Sequence, residues 1–207
     1  NIMIGNQFLE VPLNKAEKSG KYDISVFTFA KGALEAEVPH NIPIRVGNKI
    51  LRLSATPLGS IKATGNVIDI AIRIFVTVLA KIIGSERFYR LVFRKQAEKY
   101  DIAVSYFTDV PIGVFNKGTN LYVSDFANAD KKIAWIHTDP ILSGFDKEYC
   151  RRIYKPFDKI ICVSDAVRQK FNELLPEYSN KTETRHNVFD EEKIKKQVEI
   201  DTKSASE

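Results

Sequence analysis

An α/β architecture with a doubly wound, mainly parallel sheet is predicted by two features of the chain. Apolar, β-branched runs of about five residues recur along it, the length of a buried strand. Segments with helical periodicity separate several of these runs, and helices alternating with strands through short connections mark a parallel sheet.

The elements follow in order. One local pattern occurs three times: a polar stop with an aromatic residue and an aspartate, followed by an apolar run. Lys21-Tyr22-Asp23-Ile24 leads into Ser25–Phe29, Lys99-Tyr100-Asp101-Ile102 into Ala103–Tyr106, and Lys155-Pro156-Phe157-Asp158 into Lys159–Val163. Residues 30–60 are broken by Pro39, Pro43, Pro57 and Gly47 and read as loops with one short edge strand.

Residues 67–83 are the most hydrophobic part of the chain and read as one helix. Asp69, Arg73, Thr77 and Lys81 recur every four residues and form one stripe, where Asp69 and Arg73 can pair. Three charges argue against a membrane-spanning helix, since each costs about 2.5–3.5 kcal/mol at the bilayer centre. Two readings stay open: a helix buried in the domain with the polar stripe solvated, or one lying on a membrane surface beside Arg87, Arg90, Arg94 and Lys95. Residues 86–99 read as a further helix with Phe88, Leu91 and Val92 turned to the core.

After Lys131 and Lys132, Ile133–Ile136 is a short apolar run that ends in His137-Thr138-Asp139. Ligands of α/β proteins sit beyond the carboxyl ends of the strands, so this run aims His137 at chemistry. Asp139 precedes Pro140 and equally suits a cap for the next segment. Ser164 caps a helix that turns Val167, Phe171, Leu174 and Leu175 to one side and stops at Pro176. Thr182–Arg185 is a last short strand, and the charged run from Glu191 reads as a short helix and a tail.

At 207 residues the chain can build one sizeable core, placed at 1–190, with 191–207 as linker or disordered tail. Cys150 and Cys162 lack CxxC spacing and a nearby histidine pair, which argues against a zinc site or a disulfide framework and fits a reducing cytoplasm. The net charge of +5 admits nucleic acid, a phosphorylated metabolite or an anionic membrane as partner. The lack of a basic, aromatic reading motif argues against nucleic acid. Of three histidines, His40 and His186 read as structural or surface residues, and no pair has metal-ligand spacing.

The segment from Lys132 to Asp139 resembles the Trp-Ile-His-Thr-Asp stretch of glycosyltransferase family 4 enzymes of the GT-B fold. The resemblance continues in order through Lys21–Val26, Asp158–Ser164, Phe171–Pro176 and Arg185–Asp190 with Ile194, covering most of residues 20–198. It implies the amino-terminal, acceptor-side Rossmann-like half of a two-domain enzyme that moves a sugar, usually with retention, from a nucleotide-sugar donor to a polysaccharide or lipid-linked acceptor. His137 would face the interdomain cleft and orient the donor sugar. Gly5 and Asn6 stand where the family has a Gly-Gly loop, and against the family's first strand Met3–Gln7 is only a remnant, so neighbouring strands are expected to lack a partner. Tyr106–Gly118 is the expected acceptor stretch, in which Phe107, Thr108 and Asp109 at the end of their strand, with Asp139, would contact substrate. No metal or other cofactor is expected, because the nucleotide-sugar is a co-substrate.

The donor-binding carboxy-terminal domain is expected to lie outside these 207 residues, so the chain alone should be inactive. A cytoplasmic site of action is implied, with peripheral membrane contact through 67–95. The competing expectation is a degenerate, non-catalytic module that binds a membrane or a partner enzyme.

Overall fold

A computed structural model describes residues 2–5, 19–32, 38–109, 113–116 and 118–187. The strands are β1 (Ile2–Gly5), β2 (Ile24–Thr28), β3 (Ile44–Val46), β4 (Tyr100–Ser105), β5 (Ala129–Ile136), β6 (Lys159–Cys162) and β7 (Thr182–Thr184). The helices are α1 (Lys49–Ala55), α2 (Leu58–Ala63), α3 (Val67–Ile83), α4 (Ser85–Val92), α5 (Thr119–Leu121), α6 (Lys147–Tyr154) and α7 (Asp165–Leu174). A π-helical turn over Tyr122–Phe126 extends α5, and a 3₁₀ helix over Pro176–Lys181 follows α7.

The described strands form one sheet in the order β3-β2-β1-β4-β5-β6-β7, every pair parallel. The α/β class read from alternating helices and strands is therefore the architecture found. The expectation of an unpaired gap at the first strand is overturned. Ile2 pairs with Ile24 on one side and Ile102 on the other, and Gly5 with Ser105, so four residues bridge the two halves of the sheet.

Strand side chains alternate between faces. Ala103, Ala134, Ile136, Ile160 and Cys162 enter one large core with Val76, Phe88, Tyr89, Leu121, Ile153 and Phe171 from the helices. Ile24, Val26, Val104 and Tyr106 point the other way and pack with Ile42, Ile133 and Trp135. The helix-side core is rich in rings: Tyr89 stacks on Phe93 at 5.0 Å, and Phe93 meets Tyr122 edge-on at 5.1 Å.

Local chemistry sets the helix ends. The Asn66 side chain accepts from the amides of Ile68 and Asp69, both at 3.1 Å, to start α3. Gly84, with φ of 87°, stops it in a conformation that favours glycine. Ser164 Oγ accepts from the Val167 amide at 3.2 Å to start α7, and Pro176 opens the 3₁₀ helix after it, as the sequence predicts.

Three expectations need correction. Residues 30–60 hold the edge strand β3 but also α1 and the start of α2; Asn48 caps α1, and Leu51 and Leu53 are buried. The helix expected over 86–99 ends at Val92, because Phe93 turns to extended backbone and inserts its ring among Tyr89, Tyr122 and Phe126. Leu91, expected in the core, is 73% exposed, and its neighbour Tyr89 is buried instead.

The third correction concerns α3, where Asp69, Arg73 and Thr77 of the polar stripe turn to the protein and only Lys81 is exposed. Asp69 pairs with Lys49 of α1 at 2.6 Å and not with Arg73. Arg73 donates to the Thr56 carbonyl at 3.3 Å, hydrogen-bonds the Thr77 hydroxyl and lies 4.6 Å over the Phe115 ring. Val76 and Ala80 anchor the helix in the core, and a second apolar side, with Val67, Ile68, Ile74, Phe75, Val78 and Ile82, is exposed.

Candidate functional site

Order reverses at β1: β2 and β3 lie on one side of it and β4 to β7 on the other. Connections leaving a parallel sheet in opposite senses at such a point open a crevice at the carboxyl ends of the strands. Pairing of Gly5 with Ser105, and of Ser105 with Ala134, puts the ends of β1, β4 and β5 in one row.

Three residues past that row, the two loops are joined. The backbone N–H of His137 donates to Thr108 Oγ1 at 2.7 Å, and Thr108 is buried. Tyr106 presents its ring edge-on to the His137 imidazole at 4.7 Å and lies tilted against Trp135 at 5.0 Å. Burial lowers the His137 pKa, so the ring is neutral at pH 7. Its Nε2, the Trp135 Nε1 and the Thr138 hydroxyl are buried with no hydrogen-bond partner among the described residues. Buried polar atoms are nearly always paired, so three unpaired ones around one strand end set this point of the fold apart.

A second polar group lies behind the end of β4. Asn120, almost fully buried, accepts from Ser105 Oγ at 2.7 Å and donates to the Phe107 carbonyl and the Tyr154 hydroxyl, both at 3.3 Å. Asp109 accepts from the Tyr149 hydroxyl at 3.4 Å. Burial pushes the Asp109 carboxyl up to about 7, while hydrogen bonding from Asn120, nearby amides and Tyr149 pulls the other way. Burial likewise raises Tyr149 above the ordinary tyrosine range.

Of the residues singled out in the sequence, His137, Thr108 and Phe107 gather at the ends of β4 and β5, with Gly5 at the end of β1. Asp109 sits deeper, against α6 through Tyr149. Asp139 Oδ1 accepts from the amides of Ile141 and Leu142 at 2.8 and 3.0 Å and caps the turn that follows. Asn6 lies outside the described residues, as does the charged run after Asp190. His40 and His186 are exposed.

No role was read from the sequence for Trp135, Asn120 or Tyr149, and Tyr106 entered only as the first residue of the expected acceptor stretch. Tyr106 and Trp135 were visible as rings at strand ends, but their meeting depends on the β4–β5 register. Asn120 carries no motif at all.

The His137 Nε2, the Trp135 Nε1 and the Thr138 hydroxyl are able to hydrogen-bond a polar ligand. Cys150 and Cys162 are buried, and burial pushes the Cys162 thiol up to about 12, so it is no nucleophile. Among the described residues no group of three or more His, Cys, Asp or Glu side chains could hold a metal ion.

No family model and no curated protein matches this sequence. Two solved structures are similar in fold: the HepE protein of Anabaena, once in complex with UDP-glucose and once with UDP and glucose. In each case the identity is 16% and the TM-score 0.45, over 91% of this chain and 44% of the other. The chain thus spans less than half the length of these neighbours.

Proposed function

We propose that this chain is the acceptor-side domain of a retaining glycosyltransferase that moves a sugar from a nucleotide-sugar donor to a glycan or lipid-linked acceptor. The observation that carries the reading is the buried, unpartnered Nε2 of His137 at the end of β5, beside the crevice where strand order reverses. A neutral imidazole there donates to or accepts from a sugar hydroxyl without repelling or pairing with the diphosphate. Holding a donor sugar in one orientation lowers a transfer barrier by several kcal/mol when the geometry is tight.

In this reading the Gly5 backbone lies near the diphosphate or acceptor, and Phe107, Thr108, Asp109 and Asp139 form the surroundings of the acceptor. A second Rossmann-like domain grips the nucleotide, and no metal takes part. The 207 residues alone then show negligible transfer; detectable sugar transfer by the isolated chain would refute this division of labour.

The test is a screen of nucleotide sugars for hydrolysis and transfer by the whole gene product, with His137→Ala beside the parent. Donor turnover that collapses in the variant supports the reading, and turnover indifferent to His137 removes it. A degenerate, non-catalytic binding module is the second reading, favoured by the exposed apolar side of α3. Absence of any donor turnover alongside stable partner or vesicle binding would select it.

A further inference from the structure

The seventeen residues of α3 carry apolar side chains on two sides, one set in the core with Val76 and Ala80 and one facing water, where a surface helix is ordinarily polar. Asp69, Arg73 and Thr77 are spent on contacts within the domain, while Val67, Ile68, Ile74, Phe75, Val78 and Ile82 are half or more exposed. Phe75 is 66% and Ile82 77% exposed, values found on interaction surfaces rather than in a core. At roughly 100° per residue these six fall on one side of the helix, with Lys81 along its border.

The charge around this face has one sign. Asp69 is paired with Lys49, and Glu86 with Arg90 and Arg152. Lys62, Lys81, Arg87, Arg94 and Lys95 are exposed and form no ion pair among the described residues. Lys81 and Arg87 line one shallow hollow at the corner between α3 and α4, with Gly84 and Asn116.

We infer that the outward face of α3 seats on the surface of an anionic lipid bilayer, its apolar side chains entering the headgroup boundary while Lys81 and Arg87 take lipid phosphates. The helix lies along the surface: among the described residues no helix is long and apolar enough to cross a membrane. A second copy of this chain is the weaker occupant. A two-fold contact through α3 would place the same patch against itself and bring the two basic borders together. This inference stands apart from the sugar-transfer reading, because vesicle binding needs no donor.

The experiment is flotation of the 207-residue chain with vesicles of phosphatidylcholine alone or mixed equally with phosphatidylglycerol. Binding is expected to the mixed vesicles and to weaken with added salt. Phe75→Glu with Ile82→Glu should lower it at least tenfold, and Lys81→Glu with Arg87→Glu should abolish the preference for phosphatidylglycerol. All four positions are exposed, so unchanged thermal melts establish that the variants fold. No binding to mixed vesicles, or binding indifferent to both double variants, overturns the inference. So does a dimer in sedimentation equilibrium that Phe75→Glu with Ile82→Glu dissolves while no vesicle binds.

Discussion

The amide of His137 is anchored on the hydroxyl of Thr108 across 2.7 Å, so the loop after β5 is positioned by the loop after β4. The imidazole inherits its direction from a residue that need not touch a ligand.

Thr108→Val keeps the shape of the side chain but leaves a buried amide without an acceptor. We expect a loss of about 1–3 kcal/mol in urea unfolding. In the whole gene product, donor turnover should fall about tenfold or more, because orientation of His137 is lost. Full turnover in a destabilised Thr108→Val protein would show that His137 needs no such anchor.

Asp109 makes stability depend on pH with a definite sign. Its carboxyl titrates at about 7 in the folded chain against an ordinary 3.8, so the folded state holds the proton longer than the unfolded one. Stability should therefore decline between about pH 4 and about pH 7 and level off above. Asp109→Asn, which cannot ionise, should melt higher than the parent at pH 8, with the gap closing toward pH 4. A gap independent of pH would place the Asp109 titration elsewhere.

The Glu86 carboxylate ties α4 to α6. It accepts from both guanidinium nitrogens of Arg152 at 2.8 and 2.9 Å, and from Arg90 at 3.1 Å. Arg152 foremost, and then Arg90, hold its pKa down to about 2 from 4.5, against the opposing effect of burial. The ionised form therefore supports the fold above about pH 4.5, and that support disappears as pH falls toward 2. Because Arg152 is well exposed, Glu86→Gln should cost only about 1 kcal/mol at pH 7. Urea titrations at pH 7 and pH 3 should show that cost shrinking at the lower value.

Gly118 is where two rings pass the backbone. A Cβ there would lie 2.7 Å from Phe29 Cε2 and 3.0 Å from Tyr89. Gly118→Ala should lose about 1–3 kcal/mol through overpacking. In a chain of this length each kcal/mol lowers the melting temperature by about 2–4 °C. An unchanged melt would mean that Phe29 moves aside freely.

How much of this could be read from the sequence depended on whether a signal was local. The Asn66 cap, the Ser164 cap and the run ending in His137 are written in adjacent residues, and the structure has α3, α7 and β5 there. The short β1 looked insufficient because nothing nearby reveals that two distant strands flank it. A four-residue polar period in α3 identifies a stripe but not its direction; Lys49, Thr56 and Phe115, far apart in sequence, turn it inward. At the site, His137 was legible from its strand end. Tyr106 became its neighbour only through pairing of β4 with β5, and Asn120 only through the packing of α5.

The four residues of β1 also set an order of assembly. Ile2 finds one partner at Ile24 but the other at Ile102, about 100 residues later in the chain. At about 5–20 residues per second, a ribosome releases the second partner some 5–20 s after the first strand emerges. Until then the side of β1 that will meet β4 has no partner, an open hydrogen-bonding edge and a template for wrong pairing. The seam that completes the sheet closes late, and the row of strand ends around His137 exists only after it has closed.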